Sequence, residues 1–117
     1  MCGIVGFVDA APRRAAEELT AIVQRMARPL IHRGPDDEGA LVDPALGLAF
    51  GFRRLAIQDL SRNGNQPMTS VNRRYVIVYN GEIYNFREMK EDLQRAGFRA
   101  WRGSSDTEVL LAAIQRI

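Results

Sequence analysis

The chain has 117 residues, 46% apolar and 26% charged, the balance of a globular domain or part of one rather than a disordered or membrane-embedded chain. The net charge of +2 is carried almost wholly by arginine, with Lys90 the sole lysine, and no basic run with interleaved aromatics marks a nucleic-acid face. No apolar run approaches the roughly 20 residues of a membrane span, no basic flank marks a signal peptide, and the single cysteine allows no intrachain disulfide, which suits a reducing cytoplasm.

That cysteine stands at position two, directly behind Met1. Once Met1 is removed, Cys2 carries a thiol and a free α-amine on one residue, and such an amine can serve as the base for its own nucleophile. The alternative is a small buried residue leading into a strand. Ile4–Val8 reads as a buried strand closed by Asp9 and Pro12. Pro12 suits the first turn of a helix, and Leu19, Ile22, Val23 and Met26 then recur at helical spacing up to Pro29. Residues 31–39 form a loop rich in Gly and Pro, in which His32 is a capped or solvated loop histidine, with no cluster of metal-ligand spacing around it.

Ala40–Val42 and Leu48–Phe52 read as two strands joined by a turn over 43–47, and the second runs on into Arg53-Arg54-Leu55-Ala56-Ile57. Successive side chains of a strand face opposite ways, so one of the two arginines is expected to point inward. It is either salt-bridged or a clamp for a carboxylate, which the planar guanidinium suits. Residues 58–68 are a polar loop, and Tyr75–Tyr79 is a strand by its β-branched and aromatic content. Asn80-Gly81 then predicts a hairpin turn. Asn85 with Glu88 makes a capping box for a helix stopped at Gly97, Phe98–Trp101 is a short strand, and Ser105 with Glu108 opens a last helix. Asp106 favours that helix start. The order is α+β with largely antiparallel sheets covered by helices. The last helical pattern runs to Ile117 without cap or breaker, so the chain is expected to belong to a longer protein.

Five motifs come in one order: Cys2-Gly3-Ile4-Val5-Gly6-Phe7, the Arg33–Gly39 loop, Arg53–Ile57, Asn80-Gly81-Glu82-Ile83-Tyr84-Asn85 and Ser105-Asp106-Thr107-Glu108. Together they resemble the glutaminase domain of class II glutamine amidotransferases, and within these the asparagine synthetase type. The resemblance spans essentially the whole chain. It implies an N-terminal-nucleophile hydrolase fold, two antiparallel sheets stacked between helix layers, with residues 1–117 its N-terminal part. It implies Cys2 as nucleophile, Asn80 and Gly81 as oxyanion hole, Arg54 on the α-carboxylate of glutamine and Asp106 on its α-amine. Leu55, Ile57 and Glu82 would line the pocket. The family usually carries histidine where this chain has Phe52; that histidine is not catalytic, so the difference should be felt in packing beside Arg54.

The resemblance further implies that ammonia passes to a C-terminal synthetase domain that binds ATP and Mg²⁺ and amidates aspartate, in a cytoplasmic protein, and it is compatible with a homodimer. No metal or cofactor is expected among these residues, and neither a nucleic-acid nor a membrane partner. The 117 residues alone would be unstable or inactive, lacking strands of both sheets. Two alternatives stay open. One is an amidotransferase of the same architecture with another carboxylate acceptor. The other is a non-catalytic regulatory domain, whose mark would be loss of Cys2, Asn80 or Asp106; all three are present.

Overall fold

The computed structural model describes residues 1–57 and 59–117. The fold is α+β: strand β1 (Gly3–Val8), helix α1 (Ala16–Ala27), strands β2 (Asp37–Asp43), β3 (Leu48–Arg54), β4 (Met68–Thr69) and β5 (Val76–Ile77), then helices α2 (Phe86–Arg95) and α3 (Asp106–Ile114). Both sheets are antiparallel, one with the order β1-β3-β2 and the other the short pair β4-β5.

The β2–β3 hairpin forms where the sequence predicts it. Asp43 opposes Leu48, and its carboxylate accepts the Ala45 and Leu46 N–H groups at 3.0 and 3.2 Å. Gly47 closes the turn at φ +65°, against Asp9, whose N–H donates to its carbonyl at 2.8 Å. A side chain there would be strained and would meet Asp9. Helix α1 lays Leu19, Val23 and Ala27 on the sheet, where Leu19 and Val23 cluster with Ala49 under Val5, Phe7 and Val42. A second core joins α2 to α3 through Leu93, Val109 and Ala112, flanked by Phe86, Met89, Phe98 and Trp101. Gly97, at φ +96°, ends α2 as expected.

Several local expectations fail. Helix α1 starts at Ala16, four residues after Pro12, because Asp9 first organises its own turn by accepting the Ala11 N–H and pairing with Arg14. Met26 is 39% exposed, so the buried stripe of α1 ends on Ala27 instead. Asn80-Gly81 is not a strand-to-strand turn. Among the described residues the only strand pairing of Tyr75–Tyr79 is Val76–Ile77 with Met68–Thr69, so the hairpin precedes this strand and closes over Ser70–Tyr75. Arg73 takes the left-handed backbone at φ 58°, whereas Gly81 does not have positive φ. Asn85 precedes α2 without a side-chain cap, and Phe98–Trp101 is no strand: its two rings pack edge to face 4.7 Å apart on the second core.

The chain exposes 7270 Å², against about 6,400 Å² expected of a compact monomer of 13.1 kDa. Part of the excess is apolar: Ile4 and Val8 on edge strand β1 are 40% and 69% exposed. Among the described residues no helix is long and apolar enough to cross a membrane.

Candidate active site

The register Gly3↔Arg53 sets the N-terminal end of β1 beside the C-terminal end of β3. Cys2 and Leu55 are the residues just beyond those two ends. They meet: the Leu55 N–H donates to Cys2 Sγ at 3.4 Å, and the thiol lies 3.6 Å from the Leu55 carbonyl, to which it can donate. The half-buried thiol is thus oriented by backbone groups that the ladder holds in place. Met1 precedes Cys2 in the sequence, so the Cys2 nitrogen is an amide until Met1 is removed, and Met1 lines the adjoining cleft.

That cleft, of about 320 Å³, gathers every residue expected of the site: Cys2, Asn80, Gly81, Arg54, Leu55, Ile57, Glu82 and Asp106. Phe52 lies on its wall and is 1% exposed. An apolar ring thus shares the cleft that Arg54 lines.

Both arginines are buried, on opposite faces of β3. Arg53 is the salt-bridged one, held by Glu38 at 2.6 Å and the Gly34 carbonyl at 3.1 Å. Arg54 lines the cleft and takes only neutral partners: Nη1 donates to Ser61 O and Asn65 Oδ1, each at 2.6 Å, and Nη2 donates to Asp59 O. Three of five guanidinium N–H groups are used, and among the described residues no carboxylate pairs with it. The wall of the cleft therefore carries a cation with donors left over, near the Asp59 and Asp37 carboxylates but paired directly with neither, and suited to a ligand carboxylate.

The same cleft also carries an anion. Asp106, 6% exposed, is the first residue of α3 behind the N-cap Ser105, whose hydroxyl accepts the Glu108 N–H at 3.2 Å. The helix N-terminus favours its charge, and its Oδ2 accepts the Ile83 N–H at 2.9 Å. The expected reciprocal half of this capping box is absent: the Glu108 carboxylate instead takes the Arg102 and Gly103 N–H groups at 2.7 and 2.9 Å.

Gln66 holds the segment before Asn80. Its Oε1 accepts the Tyr79 N–H at 2.5 Å and its Nε2 donates to the Tyr79 carbonyl at 3.1 Å, with Thr107 Oγ1 at 3.3 Å. One buried amide thus fills the place of a neighbouring strand. The Tyr79 side chain closes over Gly81 so tightly that a Cβ at 81 would stand 2.6 Å from its hydroxyl. Glycine thus leaves room for the Tyr79 side chain there.

The sequence pattern places Asp59 only in a polar loop. Its Oδ1 accepts the Ser61 N–H and hydroxyl at 2.8 and 2.5 Å, and its Oδ2 accepts the Ser104 N–H at 2.9 Å. The Ser104 amide and the Ser61 hydroxyl hold its carboxyl below the ordinary 3.8 of an aspartate. Asp37 is lowered too, first by the Asn65 side-chain amide and then by the Glu38 N–H. The spacing Asp59-x-Ser61 is the one available signal, an Asx turn; nothing local announces the bond to Ser104. For Gln66 no local signal exists. His32 is an exposed loop residue with Nδ1 2.9 Å from the Pro29 carbonyl. Among the described residues no three metal-ligating side chains converge.

The glutamine amidotransferase domain family matches residues 1–117. Asparagine synthetase [glutamine-hydrolyzing] 1 of Bacillus subtilis (strain 168) is 42% identical over 112 residues, covering 96% of this chain and 17% of that protein. Asparagine synthetase [glutamine-hydrolyzing] 2 of the same organism is 40% identical over 111 residues, covering 95% and 14%. Putative asparagine synthetase [glutamine-hydrolyzing] 2 of Methanocaldococcus jannaschii is 36% identical over 135 residues, covering 100% and 24%. The chain thus spans between 14% and 24% of the length of these three relatives.

Proposed function

The chain belongs to the glutamine amidotransferase family, and from that premise we propose that it hydrolyses the side-chain amide of glutamine through a thioester on Cys2. The convergence of a thiol, a cation, an anion and an Asn-Gly pair on one cleft carries this reading. Removal of Met1 frees the α-amine of Cys2, which takes the thiol proton. The thiolate attacks the amide carbon, and the C=O becomes a tetrahedral oxyanion facing the Asn80 side-chain N–H and the Gly81 backbone N–H. The C–N bond breaks, ammonia leaves with the proton delivered by the amine, and a γ-glutamyl thioester remains. Water attacks it, glutamate departs, and the thiol is restored. Arg54 holds the α-carboxylate, Asp106 the α-amine, and Leu55, Ile57 and Glu82 shape the pocket between them.

The fold proposed for this chemistry is the N-terminal-nucleophile hydrolase fold, of which these residues form the N-terminal part. The exposed apolar positions of β1 and the coverage of the relatives support further strands completing the sheets. In the intact protein the ammonia would serve asparagine synthesis, as the relatives' names suggest, with aspartate as its acceptor. ATP and Mg²⁺ would be held by the synthetase part of the intact protein. The glutamine chemistry needs neither.

Kinetics of the intact gene product test the assignment. Asn80→Ala should lower kcat for glutamate release by about 10²–10³ while KM for glutamine changes little, because the oxyanion exists only in the transition state. An unchanged kcat would remove Asn80 from the oxyanion hole, and a wild type that releases no glutamate would overturn the reading.

A further inference from the structure

The two ends of the proposed amino-acid clamp come from distant parts of the chain. Arg54 closes β3, and Asp106 opens α3, with no strand pairing between those elements. A clamp for a free amino acid works only if cation and anion keep a fixed separation, since misplacement by an ångström is costly. One residue touches the supports of both. The Asp59 carbonyl accepts Nη2 of Arg54. Its carboxylate accepts the Ser104 N–H at 2.9 Å, two residues before Asp106, and the Ser61 N–H and hydroxyl. The Ser61 carbonyl in turn accepts Nη1 of Arg54 at 2.6 Å.

Two glycines show how closely this junction is packed. A Cβ on Gly103 would stand 2.5 Å from Asp59 Oδ2, and a Cβ on Gly64 would be driven into the Arg54 guanidinium. Asp59 is 7% exposed and has an acceptor role in every bond named, so it holds its place as a carboxylate.

We propose that Asp59 is a positioning residue that sets the separation between the carboxylate-binding and amine-binding ends of the glutamine site, through Arg54 on one side and the α3 N-terminus on the other. This rests on the glutamine reading of the cleft. It assigns Asp59 no contact with substrate. Its loss should therefore act on recognition of both ends of the substrate at once.

Asp59→Asn keeps the shape but offers an NH₂ group to one of the N–H donors, so one contact must break. The measurement is kcat/KM of the intact protein for glutamine, for 4-carbamoylbutanoate, which lacks the α-amine, and for 4-aminobutanamide, which lacks the α-carboxylate. In wild type glutamine should be preferred over both. In Asp59→Asn both preference ratios should fall together by about tenfold or more, the weight of one charge-assisted hydrogen bond. Ser61→Ala, which removes only one hydroxyl donor, should move both ratios the same way by a smaller factor, and it serves if Asp59→Asn does not fold. A purely structural role would lower the amount of active protein and leave the ratios where they were; that outcome overturns the proposal. So does a fall in only one ratio. A wild type that turns over none of the three amides would instead overturn the glutamine reading and this inference with it.

Discussion

Cys2 and Arg54 flank the ends of a three-stranded ladder, whereas Asn80, Gly81 and Asp106 stand on backbone with almost no strand pairing. The first wall of the cleft is fixed by continuous backbone hydrogen bonds over an apolar layer of Leu19, Val23 and Ala49. The second is fixed by buried polar side chains that bond distant backbone: Gln66 to Tyr79, Asp106 to Ile83, Asp59 to Ser104. The difference lies in where stability and geometry reside. In the ladder many equivalent bonds share the load, and burial supplies the free energy. In the second wall each bond is unique, and removing its side chain leaves a backbone group without that partner.

Crossed substitutions sharpen the contrast. Leu19, 1% exposed, should on substitution by alanine cost about 2–5 kcal/mol in urea unfolding, while the protein that stays folded keeps its kcat and KM. Gln66→Ala should cost less, about 1–3 kcal/mol for the Tyr79 groups it strands, yet lower kcat because Asn80-Gly81 loses its anchor. A Leu19→Ala enzyme with altered kcat, or a Gln66→Ala enzyme damaged in stability alone, would break the distinction between the walls.

Acid should find the buried polar bonds around the cleft at a smaller scale. Asp59 and Asp37 titrate below 3.8 when folded, against about 3.9 in an unfolded chain. A depressed folded pKa stabilises the fold above the unfolded value, and the benefit is lost as pH falls through the folded one. Urea midpoints should therefore hold steady down to about pH 5 and decline below about pH 4, and Asp59→Asn should decline less steeply. Parallel declines in wild type and variant would show that Asp59 gains nothing from its partners.

The same contrast explains what could be read from the chain. The β2–β3 hairpin, the core face of α1, the stop at Gly97 and the Ser105 cap follow from local patterns, because the interactions that make them span a few residues. The candidate site residues were legible through motif order, and all eight meet on one cleft. The second wall was not legible. Asn80-Gly81 has the chemistry of a hairpin turn, but Gln66 captures Tyr79 from 13 residues away and leaves no second strand for the turn to join. Glu108 is drawn from its expected cap to Arg102 and Gly103. Asp59 reaches Ser104 across 45 residues. Such bonds leave no periodicity in the sequence, and only the folded chain reveals them.

The central claim is that Cys2 is a nucleophile facing a glutamine site. Its most direct test is intact mass after exposure to a glutamine analogue that alkylates thiols. Wild type should lack Met1 and gain one adduct, located on Cys2 and suppressed by excess L-glutamine, while Cys2→Ala gains none. Equal labelling of wild type and Cys2→Ala, or an adduct that glutamine does not suppress, would contradict it.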